Sequence, residues 1–372
     1  MKKTIGGHSV RLLICAGGTG GGVYPALAVH SALMSLHGNV ETLWVGSEGG
    51  MEAQLVKRAG ISYRTIPAAG VHGVNLRALP GNLLQLTRGF LTSIRILRGF
   101  QPDVLFFTGG YVAVPMAYAG RRIPTLLYVP DIEPGMALKA LARYANRICV
   151  TAPDSQSYFN QGVLVTGYPL RPDLSTWARY QARTALGLSS NKPTLLIFGG
   201  SKGARSLNKA TLAHLPELLK IAEVVHISGQ LDWDEIAEAE ADLTSALQKR
   251  YHTFPYLHEM GKALAAADLV VARAGASCLG EFPFFELPAV LVPYPYAWRY
   301  QKVNASYLAN HGAAVILDDS QLQNELLDTV KVLLENPGKR ASMKRAMSAL
   351  SKPDAAQAIA SQLIELAGEK SL

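Results

Sequence analysis

At 372 residues, 49% hydrophobic and 17% charged, the chain is too long for one ordinary core and too apolar to be disordered, so two folded domains are expected. A formal net charge of +8 favours an anionic partner such as a nucleotide, a nucleic acid or a membrane surface. Cys15, Cys149 and Cys278 lie far apart in apolar or small-residue runs, which suits reduced core thiols rather than a disulfide or metal framework. No stretch reaches the roughly 18 uninterrupted apolar residues of a membrane-spanning helix. The opening MKKTIGGHSVRLLICAGG begins like a signal peptide, but its apolar run is short and reads as the first strand.

That run, 12–16, leads into residues 17–22, which hold five glycines around Thr19. Pro25 then suits the first turn of a helix that runs on through Leu27, Ala28, Leu33 and Leu36. Strand, glycine loop and helix N-terminus together bring backbone N–H groups to an anion, and glycines leave room for its approach. GTGGG is neither G-x-G-x-x-G nor a Walker loop, so it says only that something electron-rich sits there. Alternation continues with strands at 41–46, 63–66, 104–107, 125–129, 147–150 and 163–165. Helices fall between them at 51–58, 83–100, 112–119 and 137–144. Strands alternating with helices predict a mostly parallel sheet covered on both faces. Polar residues 172–192 read as a linker and the entry to a second domain, after which the opening theme repeats. A strand at 194–198 enters Gly199-Gly200-Ser201-Lys202-Gly203-Ala204, and a helix follows over 206–219. The fold class is α/β, two Rossmann-like domains facing across a cleft that holds the site. Two helical patterns, 324–334 and 355–366, close the chain.

Between Ala53 and Pro102 there is no acid, while Lys57, Arg58, Arg64, Arg77, Arg88, Arg95 and Arg98 accumulate. Leu83, Leu84, Leu86, Phe90, Leu91, Ile94 and Leu97 recur there near helical spacing. A helix of this kind, with the loop 74–79 before it, suits the surface of an anionic membrane. Nucleic acid is not expected as a partner, because no nucleic-acid module is present.

In the second half, a strand at 269–272 runs into Arg273-Ala274-Gly275-Ala276-Ser277, with Glu281 near the start of the next helix. Small residues there let N–H groups reach a diphosphate, and a carboxylate such as Glu281 accepts from both hydroxyls of a ribose or caps the helix. Beyond the strand at 289–292, Pro293 and Pro295 turn the chain so that Arg299, Gln301 and Asn304 face the cleft. Amides suit sugar hydroxyls, being donors and acceptors together. No acidic or histidine cluster demands a metal, and no cofactor is expected.

These segments in their order resemble the MurG family of N-acetylglucosaminyltransferases. The resemblance is carried by GGTGG-VYPALAV (17–29), GSEGGMEAQLV (46–56), GGYV (109–112), VTGYPLR (165–171), GGSKGARSLN (199–208), ARAGA with Glu281 (272–281) and RYQKVNA (299–305). It implies a GT-B fold, with domains at 1–171 and 172–350 and a last helix within 351–372 that packs back on the first domain. It implies inverting transfer of N-acetylglucosamine from UDP-N-acetylglucosamine to the muramoyl 4-hydroxyl of undecaprenyl-diphosphate-linked lipid I. That reaction gives lipid II for peptidoglycan synthesis at the cytoplasmic face of the cell membrane, where the protein is peripheral. By resemblance the first loop, with Thr19, Gly20 and Gly21, takes the acceptor diphosphate and lies close to the donor sugar. Arg171 and the backbone of Leu257 come near the uracil, and Ser201 meets the nucleotide phosphates. Ala276, Ser277, Cys278, Leu279, Gly280 and Glu281 form the donor helix start, with Glu281 on the ribose. Gln301 and Asn304 fall near the N-acetylglucosamine.

The departures bear on catalysis. Gly22 stands where the family has histidine, Tyr128-Val129-Pro130-Asp131 replaces its His-Glu-Gln-Asn, and Cys278 and Gly280 replace a threonine and a serine. An inverting transfer needs a base beside the attacking hydroxyl. Asp131 is the candidate, with His72 as a second. The departures otherwise fit a transferase acting on a different lipid or small acceptor, or a non-catalytic nucleotide-sugar-binding paralogue.

Overall fold

Runs such as 12–16 and 195–198 are apolar at consecutive positions, which a strand tolerates only when both of its faces are covered. A computed structural model of the chain describes residues 9–17, 20–50, 52–68, 79–189, 191–200, 202–296 and 300–369. In it these runs become central strands of two sheets whose pairings are all parallel. The chain divides into two compact units, Met1–Arg171 with Pro353–Leu372, and Pro172–Lys352.

The first unit runs β1 (Val10–Ala16), α1 (Gly20–His37), β2 (Val40–Ser47), α2 (Glu52–Arg58), β3 (Ser62–Ile66), α3 (Leu79–Phe100), β4 (Val104–Gly109), α4 (Ala113–Ala119), β5 (Thr125–Val129), α5 (Met136–Leu141), β6 (Arg147–Val150) and β7 (Leu164–Val165). Its strand order is β3-β2-β1-β4-β5-β6-β7, so the order reverses between β1 and β4. The second unit runs α6 (Arg179–Ala185), β8 (Thr194–Phe198), α7 (Arg205–Ala213), α8 (Leu215–Ile221), β9 (Glu223–Ile227), α9 (Trp233–Ala241), α10 (Ser245–Gln248), β10 (Tyr251–Phe254), α11 (Met260–Ala266), β11 (Leu269–Ala272), α12 (Cys278–Phe284), β12 (Ala289–Leu291), α13 (Tyr300–Asn310), β13 (Ala314–Ile316), α14 (Leu322–Leu334) and α15 (Pro337–Leu350). Its order, β10-β9-β8-β11-β12-β13, reverses between β8 and β11. The last helix, α16 (Ala355–Glu369), belongs to the first unit. There Ile359, Leu363 and Leu366 share one core with Leu12, Ile14, Trp44, Phe106 and the inner face of α1. Leu13, Val45, Leu105, Phe107, Ile96 and Met116 fill the opposite face of the sheet.

Four expectations are corrected. The first helix begins at Gly20, so the glycines at 20–22 form its first turn and Pro25 lies inside it. Proline is tolerated there but supplies no N–H to the Gly21 carbonyl one turn back. The helix expected over 206–219 breaks at His214, because Pro216 cannot donate to the Leu212 carbonyl and instead starts α8. The polar segment 172–192 is not a free linker. Its arginines are spent on the second unit, Arg179 pairing with Asp268 at 2.6 Å and Arg183 donating to Thr194 Oγ1 at 2.6 Å. Leu174 is buried beside Gly261, which has no room for a side chain against the Leu174 backbone. Finally, α15 stands between the two expected closing helices.

Because Leu363 is fully enclosed, Leu363→Ala is expected to cost about 2–5 kcal/mol. A lowered urea midpoint with an unaltered slope is the check, and an unchanged midpoint would show that α16 does not belong to that core.

Candidate active site

Loops that leave strands on either side of a reversal in strand order diverge, and ligands of such sheets sit in the resulting crevice. In the first unit that place lies between Gly17, after β1, and Gly110, after β4. Gly110 has φ +90°, and a Cβ on it would stand 2.9 Å from the Gly17 carbonyl oxygen. The β1–β4 register slips here, Cys15 pairing with Phe107 and Ala16 with Gly109, so Thr108 is the extra residue of a bulge. Its buried hydroxyl donates to the Gly22 carbonyl at 2.7 Å, fixing the first turn of α1 to β4. A Cβ on Gly22 would lie 3.4 Å from the Thr108 carbonyl oxygen and 3.9 Å from that of Gly17. Position 22, where the resemblance leads one to expect a histidine, therefore faces the reversal point. Gly20 packs beneath the Tyr24 ring, over which the Arg171 guanidinium lies 4.4 Å from the ring centre. Gly20, Gly21, Gly22 and Arg171 are thus brought together. Thr19 lies outside the described residues.

Sequence reasoning missed what sits behind this loop. Glu52, first residue of α2, is fully buried; its Oε1 accepts from Ser47 N at 2.8 Å and from Ser47 Oγ at 2.9 Å. Its Oε2 has no hydrogen-bond partner among the described residues. Gly17, Gly46 and Gly50 surround the carboxylate, and a Cβ on any of them would collide with it. The available signal was GSEGGME itself, in which an acidic residue at a helix start follows a glycine cluster.

At the end of β5, Tyr128 is fully buried against the α1 and α16 side of the sheet and donates to Gly167 O at 3.2 Å. Its hydroxyl also lies 2.7 Å from Thr151 Oγ1, and burial holds the phenol well above its ordinary range. Tyr128 and Val129 are core residues, whereas Asp131 is half-buried just past the strand, near enough for its charge to act on that phenol. His72 lies outside the described residues. The three cysteines are buried and free, with burial raising the Cys15 thiol and pushing Cys149 up to about 12.

In the second unit the turn after β8 contains Gly200 and Gly203 with φ +93° and +78°. Across the reversal, Arg273 beyond β11 donates to Asp319 Oδ1 at 2.5 Å, Val292 O at 3.2 Å and Ser206 Oγ at 2.7 Å. Ser206 Oγ in turn donates to Asp319 Oδ1 at 2.7 Å. One buried guanidinium therefore ties the start of α7 to the ends of β11 and β12. The N–H groups of Cys278, Leu279, Gly280 and Glu281 are each bonded to carbonyls of Gly275, Ala276 or Ser277. An anion approaching this turn consequently meets the residues before Cys278, not the first turn of α12. Ala276, Cys278, Leu279 and Gly280 are buried, while Ser277 and Glu281 are half-buried. Asn304 is enclosed, its amide donating to Ala274 O at 3.1 Å, so it braces the 273–277 turn from behind. Gln301 Oε1 accepts from Tyr294 N at 2.8 Å, holding the proline turn onto α13. Leu257 is half-buried just past β10. Ser201 and Arg299 lie outside the described residues.

Deeper in the same unit, His226 is enclosed on β9 with Nδ1 2.7 Å from Tyr251 Oη and Nε2 3.0 Å from Asn208 Oδ1. Burial lowers its imidazole from 6.5 to about 3. Between those values the unfolded chain binds the proton and the folded chain does not, so stability is full above pH 6.5 and is lost as pH falls. The expected slope is about 1.4 kcal/mol per pH unit from this one group. Urea titrations of the wild type and of His226→Gln between pH 4 and 7 are the check, the variant showing the shallower dependence.

Compared with known proteins, residues 12–150 match the glycosyltransferase family 28 N-terminal domain and residues 194–359 the family 28 C-terminal domain. The chain is 40% identical to the UDP-N-acetylglucosamine–N-acetylmuramyl-(pentapeptide) pyrophosphoryl-undecaprenol N-acetylglucosamine transferase of Roseiflexus sp., the match covering 94% of each chain. It is 38% identical to the transferase of the same name from Desulforudis audaxviator, over 97% of this chain and 99% of that one. Among solved structures, Acinetobacter baumannii MurG superposes with a TM-score of 0.77 at 29% identity, over 96% of this chain and 99% of that one. The UDP-GlcNAc 2-epimerase of Neisseria meningitidis bound to UDP-GlcNAc reaches 0.68 at 13% identity over 96% and 100%, a likeness of fold alone.

Proposed function

The chain belongs to the family of UDP-N-acetylglucosamine–N-acetylmuramyl-(pentapeptide) pyrophosphoryl-undecaprenol N-acetylglucosamine transferases, and we propose that it performs their reaction. It transfers N-acetylglucosamine from UDP-N-acetylglucosamine to the 4-hydroxyl of the muramoyl sugar of lipid I, with inversion, to give lipid II. The observation that carries this reading is the presence, in each unit, of a glycine turn at the reversal of the sheet that leads into a helix N-terminus. Donor and acceptor each bear a diphosphate, so the reaction needs two such places.

In this reading the 199–204 turn, with Ser201, takes the nucleotide phosphates, Glu281 the ribose and Gln301 the sugar. The first loop, with Thr19, Gly20 and Gly21, takes the acceptor diphosphate, and Arg171 beside it adds positive charge. The acceptor hydroxyl oxygen bonds to the anomeric carbon as the bond from that carbon to the phosphate oxygen breaks. The electron pair leaves with UDP, where N–H groups at the start of α7 stabilise it. Gly22 provides nothing to take the hydroxyl proton, and we assign that proton to Asp131.

Transfer of labelled N-acetylglucosamine to a lipid I analogue tests the activity; donor binding without transfer would overturn it. Asp131→Asn is expected to lower kcat about 100-fold with donor affinity unchanged. An unaltered turnover number would remove Asp131 from the role.

The protein works as a peripheral enzyme on the anionic cytoplasmic face of the membrane. Among the described residues no helix is long and apolar enough to cross a membrane. On α3, Leu83, Leu84 and Leu91 are about half exposed among the exposed Arg88, Arg95 and Arg98. Phe90, Tyr118 and Tyr144 continue the face as an aromatic row with ring centres 5.3 and 6.2 Å apart. Part of the loop 74–79 lies outside the described residues. Sedimentation with vesicles is expected to favour anionic over neutral lipid and to be lost in Leu84→Glu/Leu91→Glu; equal binding by the variant would refute the contact.

A further inference from the structure

The phosphate turn of the second unit is closed by one bond of its own, from Gly203 N to Gly200 O at 3.0 Å, and is otherwise seated against its neighbours. Gly203 is pressed against the end of β9, where a Cβ on it would overlap the Ser228 carbonyl. A Cβ on Gly229 would stand 2.6 Å from Gly203 Cα. The backbone at 228–229 is therefore the wall on which the 199–204 turn is cast, and a side chain of α7 pins that wall. Asn208, 2% exposed, donates from Nδ2 to Ser228 O at 2.9 Å and to Asp232 Oδ2 at 2.8 Å. Asp232 also pairs with Arg205 at 3.7 Å, on the first residue of the same helix.

The directions of these bonds follow from elementary donor counting. The Ser228 carbonyl and the Asp232 carboxylate only accept, so the Asn208 amide turns its nitrogen to them and its oxygen to His226. His226 must then donate from Nε2, which leaves Nδ1 to accept, and the Tyr251 hydroxyl is the donor at 2.7 Å. If the imidazole carried its proton on Nδ1, Asn208 would have to donate to it and would turn an acceptor toward two acceptors. The two acceptors thus select the amide face, the amide face selects the tautomer, and the Tyr251 hydroxyl, able to donate or accept, takes the donor's part.

We propose that Asn208 is a positioning residue for the donor's diphosphate, acting through the 199–204 turn, with Ser228 O and Asp232 fixing the face its amide presents and His226 completing its bonds. This rests on the reading that the turn holds the phosphates of a UDP-sugar. The role predicts a split: donor affinity depends on the wire, whereas acceptor affinity does not.

The experiment is titration of the full chain with UDP, with donor and acceptor KM and kcat and a thermal melt for each variant. Asn208→Ala is expected to weaken UDP about tenfold and raise the donor KM in proportion, with the acceptor KM unchanged. A folded Asn208→Ala chain that binds UDP within twofold of wild type overturns the proposal. Should that variant fail to fold, Asn208→Ser, which keeps a hydroxyl in the pocket but is too short to hold Ser228 O and Asp232 together, decides the matter. It is expected to weaken UDP about threefold, and unchanged affinity overturns the proposal. Nitrogen NMR of labelled histidine gives a further readout: an Nε2–H tautomer for His226 in wild type, whereas an Nδ1–H form would refute the wire. A wild-type chain that binds no UDP would instead sink the donor-site reading, so the two failures are distinguishable.

Discussion

Two backbones passing within contact at the carboxyl edge of a parallel sheet are the constraint on which both halves of this molecule depend. Gly110 stands against Gly17 in one unit and Gly203 against Gly229 in the other, and at each a side chain would strike main chain. Such crowding excludes side chains from the place where helix N–H groups point outward, and that exclusion makes an anion cradle. The same absence of side chains leaves the loops with little of their own to hold them beyond backbone bonds such as Gly203 N to Gly200 O. Support comes from behind, from the Thr108 hydroxyl, the Glu52 carboxylate, the Asn208 amide and the Arg273 guanidinium. Each is buried or nearly so, each ties the end of one element beside a loop to another element, and none is expected to touch substrate.

That division explains what could be read in the amino-acid sequence. Strands apolar over nearly their whole length, such as β5, β8 and β11, were legible to the residue, because burial on both faces leaves no ambiguity of face. β9 was not, since Glu223 and His226 interrupt its apolar run. They are tolerated only because His252 and Asn208, distant in sequence, supply hydrogen-bond partners. The segment 172–192 looked like a linker for a related reason: its arginines are charges until Asp268 is known to sit beside them. Glycines were read as loop, yet those at 20–22 are helical, as the first turn of a helix demands few hydrogen bonds of its residues.

At the site, motif order carried the family, and the family carried the chemistry. What spacing does not contain is direction. Tyr128 occupies a position where the family has histidine, and it points into the core. Asn304 reads as a sugar-facing amide and is found bracing the turn before α12. The N–H groups of Cys278–Glu281 look free in a helix-start motif and are engaged with the preceding carbonyls. In each case the residue type is right for the neighbourhood, and the backbone decides which neighbour it serves.

The return of α16 to the first unit has a consequence for how the protein is made. Pro172–Lys352 is an insertion within a unit whose two pieces lie at opposite ends of the chain. Until residues 359–367 leave the ribosome, Leu12, Ile14, Trp44 and the inner face of α1 lack part of their cover. The second unit, contiguous in sequence, has all of its strands and its complete core earlier. We therefore expect the unit that is synthesised first to be finished last, its burial closed by the final helix. Protease protection of stalled nascent chains would reveal this order, and early protection of the first unit, before α16 emerges, would contradict it.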